Sequence, residues 1–263
     1  MIKNKTNNYE YIALVILSFV FLLVVWWLIT FFGLIKPFFL PSPPEVAKAI
    51  FQLFSQGNFI KDVGISLFRI LVGFFVAVVL GVPLGILIGL NRRAEAIIEP
   101  VVDFIRYTPI PAFIPLFILW FGIGELEKII VISASVFFQL ILMVANSVSF
   151  TPKQIIESAE TLGANRWQII SKVISPYSKP RIFDDLRISM GWAWAGLILA
   201  EIVGSTSGIG FVIIQSQRLL QTANVISAII VVGILGLFSD FIFKRLYKIL
   251  FPWAPKLDHY ARN

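Results

Sequence analysis

From Tyr11 to Ile35 the chain runs without a single charged residue. A helix needs about 20 apolar residues to cross roughly 30 Å of hydrocarbon, and this stretch exceeds that. It is too long for the apolar region of a secretory leader, and no small-residue cleavage site follows, so it reads as an anchor. Tyr11, Trp26 and Trp27 suit the membrane interface. Five more apolar runs follow: Ile65 to Leu90, broken by Arg69; Pro109 to Ile123, short and proline-rich; Ile129 to Phe150; Ile188 to Gly204, which contains Glu201; and Val225 to about Phe243, which contains Asp240. Charged residues make up 14% of the 263 positions and hydrophobic ones 58%. A soluble domain carries about 25% charged residues, so this chain has too few to cover a water-facing surface. The expectation is an all-α polytopic membrane protein with about six transmembrane helices.

The formal charge of +7 would suit nucleic acid, but in a membrane protein Lys and Arg first report topology. With the N-terminus inside, the inner segments hold Lys3 and Lys5; Arg92, Arg93 and Arg106; six residues from Lys153 to Arg187; and Lys244, Arg245, Lys248, Lys256 and Arg262. The outer side keeps Lys36, Lys48, Lys61, Lys128 and Arg218, with Arg69 at the edge. Both termini are therefore expected in the cytoplasm, and no nucleic-acid partner is expected.

Chemistry of several kinds is excluded by composition. Cysteine is absent and His259 is the single histidine, in a polar tail. That leaves no thiolate or His-based metal site, no disulfide framework and no Cys/His nucleophile. No constellation of catalytic groups stands out, and no G-x-x-x-x-G-K-[ST] nucleotide motif occurs. Catalytic and metal residues are thus both expected to be none.

Two segments outside the apolar runs have their own structure. Ser42-Pro43-Pro44-Glu45 is a helix start, with a polar cap, prolines in the first turn and an acid near the positive dipole end. Val46, Ala49, Ile50, Leu53 and Phe54 give the following helix one apolar stripe, and Gly57 can close it. Such a helix either lies in the lipid interface or packs on the protein's own bundle. The second segment is the loop 151–187. Thr151-Pro152-Lys153-Gln154 has the form of a capping box; Ile155, Ile156, Ala159 and Leu162 make an apolar stripe, and Gly163 breaks the helix. A second short helix is expected from Asn165 to about Ile174, with Pro176 ending it. Two short amphipathic helices on the inner face suit docking into a groove of another protein, or packing on the chain's own inner surface.

At this loop the residues resemble a family. Glu157, Ala159, Gly163, Val173 and Pro176 stand at the spacings of the coupling-loop motif of ABC importer permeases, with mild departures at Ser158 and Ser175. Phe39-Leu40-Pro41-Ser42-Pro43, Ser66-Leu67-Phe68-Arg69, Pro115 through Glu125, Ala200-Glu201-Ile202 and Ser207-Gly208-Ile209-Gly210 look like the subfamily for nitrate, bicarbonate, taurine and aliphatic sulfonates. The resemblance implies a type I ABC importer permease fold in a bacterial plasma membrane. It implies one domain: a core over 65–251 carrying the coupling loop, preceded over 1–64 by an extra helix and the interfacial one. It implies two cytoplasmic ABC ATPase subunits, which hold the ATP and magnesium, a second permease copy expected to be identical, an external solute-binding protein, and no cofactor in this chain. Glu157, Ala159, Gly163 and Pro176 are implied as the ATPase-coupling residues.

Other candidates concern the translocation path. Glu201 is an acid inside a crossing, which costs roughly 2.5–3.5 kcal/mol on insertion scales and marks a functional position by default. Trp194 lies seven residues earlier on the same helical face. The two line a path, or Glu201 reaches water or a neighbouring helix; a bare carboxylate would repel an anion. Arg106 precedes Thr108-Pro109-Ile110-Pro111 and either attracts an anion or sets topology and pairs with an acid. Arg69 is read as snorkelling or helix-pairing, and Asp240 as pairing with Lys244. Alternatives for the whole chain are a permease of the same family for thiamine- or riboflavin-type compounds, an ion-coupled secondary carrier, and a non-transporting scaffold.

Overall fold

The computed structural model describes residues 8–254 and is helical throughout, with no strand among the described residues. Lys3, Lys5, Lys256, His259 and Arg262 lie outside them. The chain divides into two compact units: one takes it up to Ile60 together with Val212–Ile230, the other Lys61–Phe211 with everything from Val231 on.

The first unit contains helices α1 (Asn8–Phe31) and α2 (Pro43–Gln56). The apolar side chains of α1 are exposed along its length, as in Leu17, Phe21 and Leu22, which is what a lipid-facing helix requires. Trp26 ties its end to the following loop by donating Nε1–H to the Pro41 carbonyl at 3.0 Å. The start of α2 is as the sequence expects: Ser42 caps in an extended conformation, and Glu45 Oε2 accepts from the Ser42 amide at 2.7 Å and from its hydroxyl at 2.9 Å. Those two bonds hold the Glu45 carboxyl below its usual pKa. Val46 and Ala49 are buried, and Ser227 donates to the Val46 carbonyl at 3.1 Å. That face of α2 packs on protein, while Phe51 and Phe54 stay exposed.

The second unit is built on three helices: α3 (Phe59–Leu90), α6 (Glu125–Ser149) and α9 (Ser175–Ile202). Every fourth residue of α6 from Ile132 to Val148 is fully or nearly buried, against Ile70, Phe74 and Ala77 of α3 and Met190, Ala193 and Leu197 of α9. The α3–α6 approach is close because α3 presents Gly73, Ala77, Gly81, Gly85 and Gly89 at four-residue spacing. A Cβ at Gly85 would stand 2.6 Å from the Ile141 carbonyl oxygen, and one at Gly73 would stand 2.7 Å from Ile132. Apolar burial drives nothing between helices in lipid, so small residues that let backbones touch supply the packing instead.

The expected crossings take different forms. Among the described residues, four helices are long and apolar enough to span a membrane: Ile12–Phe31, Phe59–Leu90, Glu125–Ser149 and Thr222–Leu250 (α11). The proline-rich third crossing is a bent pair, α4 (Arg92–Arg106) and the segment Ile110–Phe121 that ends in α5 (Ile114–Phe121), broken by 88°. Tyr107-Thr108-Pro109 interrupts the helical bonds there, and Pro109 holds an extended conformation. The fifth crossing is the apolar back half of α9, whose front half carries Lys179, Arg181, Asp184, Asp185 and Arg187.

Candidate functional site

The loop after α6 holds α7 (Lys153–Thr161) and α8 (Arg166–Ile169). No capping box forms at Thr151: Pro152 is the cap, and the Thr151 hydroxyl turns back to the Val148 carbonyl at 3.0 Å, finishing α6 rather than starting α7. The other end of α7 is closed as the sequence expects. Gly163 has φ +80°, its amide reaches the Glu160 carbonyl at 2.9 Å, and the Ala164 amide reaches that of Ala159 at 3.0 Å. This is the Schellman closure, which needs a residue at ease in the left-handed region. Asn165 then opens α8 with a reciprocal box, Asn165 Oδ1 accepting from the Gln168 amide and Gln168 Oε1 from that of Asn165.

Pro176 does not end a helix. A π-turn over Ile170–Ile174 joins α8 to α9, and Pro176 stands in the first turn of α9. A π-turn changes the register by one residue, and a first-turn proline lacks only an amide that would be unmatched there. Glu157 and Gly163 are exposed and Ala159 half-buried; no residue of α7 is buried. Leu162 is 88% exposed and Trp167 74%. The loop therefore holds Leu162 and Trp167 outward, while Ile169 is buried and Ile174 packs on the core.

At the opposite end of α3 and α9 sits a buried ion cluster. Glu201 is 0% exposed. Its Oε1 accepts from Arg69 Nη1 at 2.8 Å and from Ser66 Oγ at 2.7 Å, and its Oε2 accepts from the Gly210 amide at 2.8 Å. The Ile209 amide donates to Ser66 and the Gly208 amide to Asp62 Oδ1, so the first amides of α10 (Ile209–Arg218) are satisfied by these side chains. A Cβ at Gly208 would collide with the Glu201 carboxylate, and one at Gly210 would stand 2.6 Å from Glu201 Cβ. The Ser207-Gly208-Ile209-Gly210 string is thus a cradle for a buried acid. Arg69 Nε and Nη2 meet Glu125 at 2.7 and 2.5 Å, while Nη1 also donates to the Ser207 carbonyl at 2.8 Å. Alongside, Lys128 donates to the Gly124 carbonyl at 3.0 Å and lies 3.6 Å from Glu127, whose buried oxygens have no hydrogen-bond partner among the described residues.

The remaining candidates fall elsewhere. Trp194 is in the α3–α6–α9 core and donates to Ser239 Oγ at 3.3 Å. Arg106 pairs with Asp103 at 2.7 Å and lies 4.6 Å from the centre of the Tyr107 ring. Asp240 pairs with Lys244 at 2.8 Å as expected and also with Arg187 at 3.4 Å. Arg69 pairs helices, as one of its readings had it. Glu201, Trp194 and Arg106 thus occupy three separate environments. The partners Ser66, Glu125 and Ser207 were missed as site residues; an Arg and a Glu each inside an apolar run was the available signal that the two would meet. Among the described residues no group of three His, Cys, Asp or Glu side chains is placed to hold a metal.

This architecture is that of a type I ABC importer permease. The chain belongs to the family of binding-protein-dependent transport system inner membrane components, whose pattern matches residues 81–254. The taurine transport system permease protein of Escherichia coli (strain K12) is 33% identical over 237 residues, covering 88% of this chain and 86% of that one. A protein named for aliphatic sulfonates transport in Bacillus subtilis (strain 168) is 33% identical over 88% of this chain and 84% of its own length. The formylaminopyrimidine transport permease of Halalkalibacterium halodurans is 28% identical over 94% of this chain and 98% of its own. In fold, the chain is similar to the MetNI methionine ABC transporter solved in inward-facing conformations, with a TM-score of 0.65 at 21% identity, over 72% of this chain and 94% of that one.

Proposed function

We propose that this chain is the membrane-spanning subunit of an ATP-driven importer for a small oxyanionic solute of the sulfonate class. The observation that carries this is the likeness to the taurine permease over nearly the full length of both proteins. The coupling loop adds to it: Glu157, Ala159 and Gly163, with Leu162 and Trp167 exposed beside them, form a surface suited to the groove of a cytoplasmic ATPase. Pro176, next to the π-turn, lies where motion of that surface passes into α9. ATP and magnesium belong to the ATPase partner, since the sequence holds no phosphate-binding loop, and this chain has no catalytic work. Two copies of the chain enclose the path. ATPase closure draws the coupling helices together, and the permease pair opens outward to take solute from an external binding protein.

The excess of Lys and Arg supports both termini on the cytoplasmic side of a bacterial plasma membrane, which puts the Arg69 cluster toward the outside and α7 and α8 within. The test is uptake of labelled taurine by vesicles holding the permease, its ATPase and its binding protein. Uptake of taurine, competed by methanesulfonate and not by a pyrimidine, is the expected outcome; competition by the pyrimidine alone would move the reading to the thiamine-type class.

A further inference from the structure

One member of the Arg69 cluster differs from the others. The side chain of Arg69 is 1% exposed and that of Glu201 0%, whereas that of Glu125 is 55% exposed. Glu125 occupies the Nε and Nη2 edge of the guanidinium with both carboxylate oxygens, the two-point geometry that a guanidinium offers to any flat pair of anionic oxygens. The remaining edge is held by fixed groups, Glu201 and the Ser207 carbonyl.

We propose that Glu125 is a placeholder, and that the Nε–Nη2 edge of Arg69 is a binding subsite for the sulfonate or carboxylate group of the transported solute, which displaces Glu125. This rests on the reading of the cargo as an oxyanion.

Three observations point to it. Glu125 is the first residue of α6 and follows Gly122 and Gly124, around whose missing side chains no atom lies within 4 Å. It can withdraw without disturbing the core, whereas Glu201 is locked between Gly208 and Gly210. The exchange replaces one carboxylate charge by one sulfonate or carboxylate charge at the same guanidinium edge, so the total charge of the cluster is unchanged. A neutral or cationic solute would leave the Nε and Nη2 donors without the anionic partner that Glu125 now gives them. Ser207 Oγ, which accepts from Arg69 Nη2 at 3.1 Å, stands beside the fork with its own proton to offer, a partner for the third oxygen of a sulfonate.

The experiment is calorimetric titration of the full chain in lipid nanodiscs with methanesulfonate, dimethyl sulfone and chloride, comparing wild type with Glu125→Ala and Glu125→Gln. Opening the fork in Glu125→Ala should tighten methanesulfonate binding by about tenfold or more, and Glu125→Gln by less. Dimethyl sulfone, the same shape without charge, should stay unbound, and chloride should bind at least about tenfold more weakly. Unchanged methanesulfonate affinity in Glu125→Ala would overturn the subsite, and so would chloride binding as tightly. The two readings fail separately: wild-type taurine uptake with no gain in Glu125→Ala removes the subsite and keeps the importer, while absence of any anion uptake removes the oxyanion reading first.

Discussion

Arg69 on α3 and Glu201 on α9, 132 positions apart in sequence, meet at 2.8 Å with neither side chain open to solvent. Two charges each costly in an apolar helix become tolerable because each neutralises the other and their remaining hydrogen-bonding groups are satisfied by Glu125, Ser66, Ser207 and Gly210. The pair joins two of the three central helices at one end of the bundle.

Removing both partners should therefore cost less than the sum of removing each alone. Glu201→Met leaves a buried guanidinium without its inner counter-ion, and about 3–5 kcal/mol of destabilisation is expected. In the double variant Arg69→Met with Glu201→Met the loss should be clearly smaller than the sum of the single losses. Thermal unfolding of the purified variants in one detergent measures it; additive losses would show that the pair is not a unit.

The small-residue stripe of α3 sets the distance to α6. Gly85→Ala drives a methyl into the Ile141 carbonyl and the Val144 side chain, and overpacking of this kind costs about 1–3 kcal/mol. Gly233→Ala, in α11 with nothing within 4 Å of the new carbon, should leave the melting temperature unchanged or slightly raised. Equal effects at both sites would contradict the close approach of α3 and α6.

Gly163 offers a test of coupling apart from folding. Open space surrounds it but φ is +80°, so Gly163→Val meets backbone strain of roughly 1–2 kcal/mol without any clash. Gly163→Asn, which tolerates the left-handed region, should retain most uptake, whereas Gly163→Val should lose ATPase association or uptake. Survival of both in Gly163→Val would remove the coupling assignment.

The cap of α2 carries a pH signature. Hydrogen bonds from Ser42 lower the Glu45 pKa below its unfolded value. The cap's contribution is then full at neutral pH and is lost as pH falls through the folded pKa, below the ordinary carboxylate range. The stability difference between wild type and Glu45→Gln should shrink as pH drops from about 6 to about 3. A difference that stays constant across that range would show that the Ser42–Glu45 bonds contribute nothing.

Much of this was legible before any coordinate. The charge-free run after Tyr11, the Ser42 cap, the Gly163 break and the Asp240–Lys244 pair each depend on neighbours in sequence, where local physics dominates. The Arg69–Glu125–Glu201 cluster was legible only as an Arg and a Glu each inside an apolar run, with helix pairing one reading of each; which partners meet needs three helices placed in space. Pro176 misled for a related reason: proline predicts an interruption, and the π-turn before it absorbs one. The Thr151 box failed because Thr151 satisfies α6 first. The stripe Gly73, Ala77, Gly81, Gly85, Gly89 was readable as small residues every fourth position, and only the identity of its partner helix required the structure.

The most direct measurement of the account is solute uptake into vesicles holding the permease with and without its ATPase and binding protein, with ATP and an imposed ion gradient supplied in turn. Accumulation of taurine that requires ATP, the ATPase and the binding protein, and is absent with the ion gradient alone, is the result expected. Accumulation by the permease alone, driven by the gradient without ATP, would contradict it and make the chain a self-sufficient carrier.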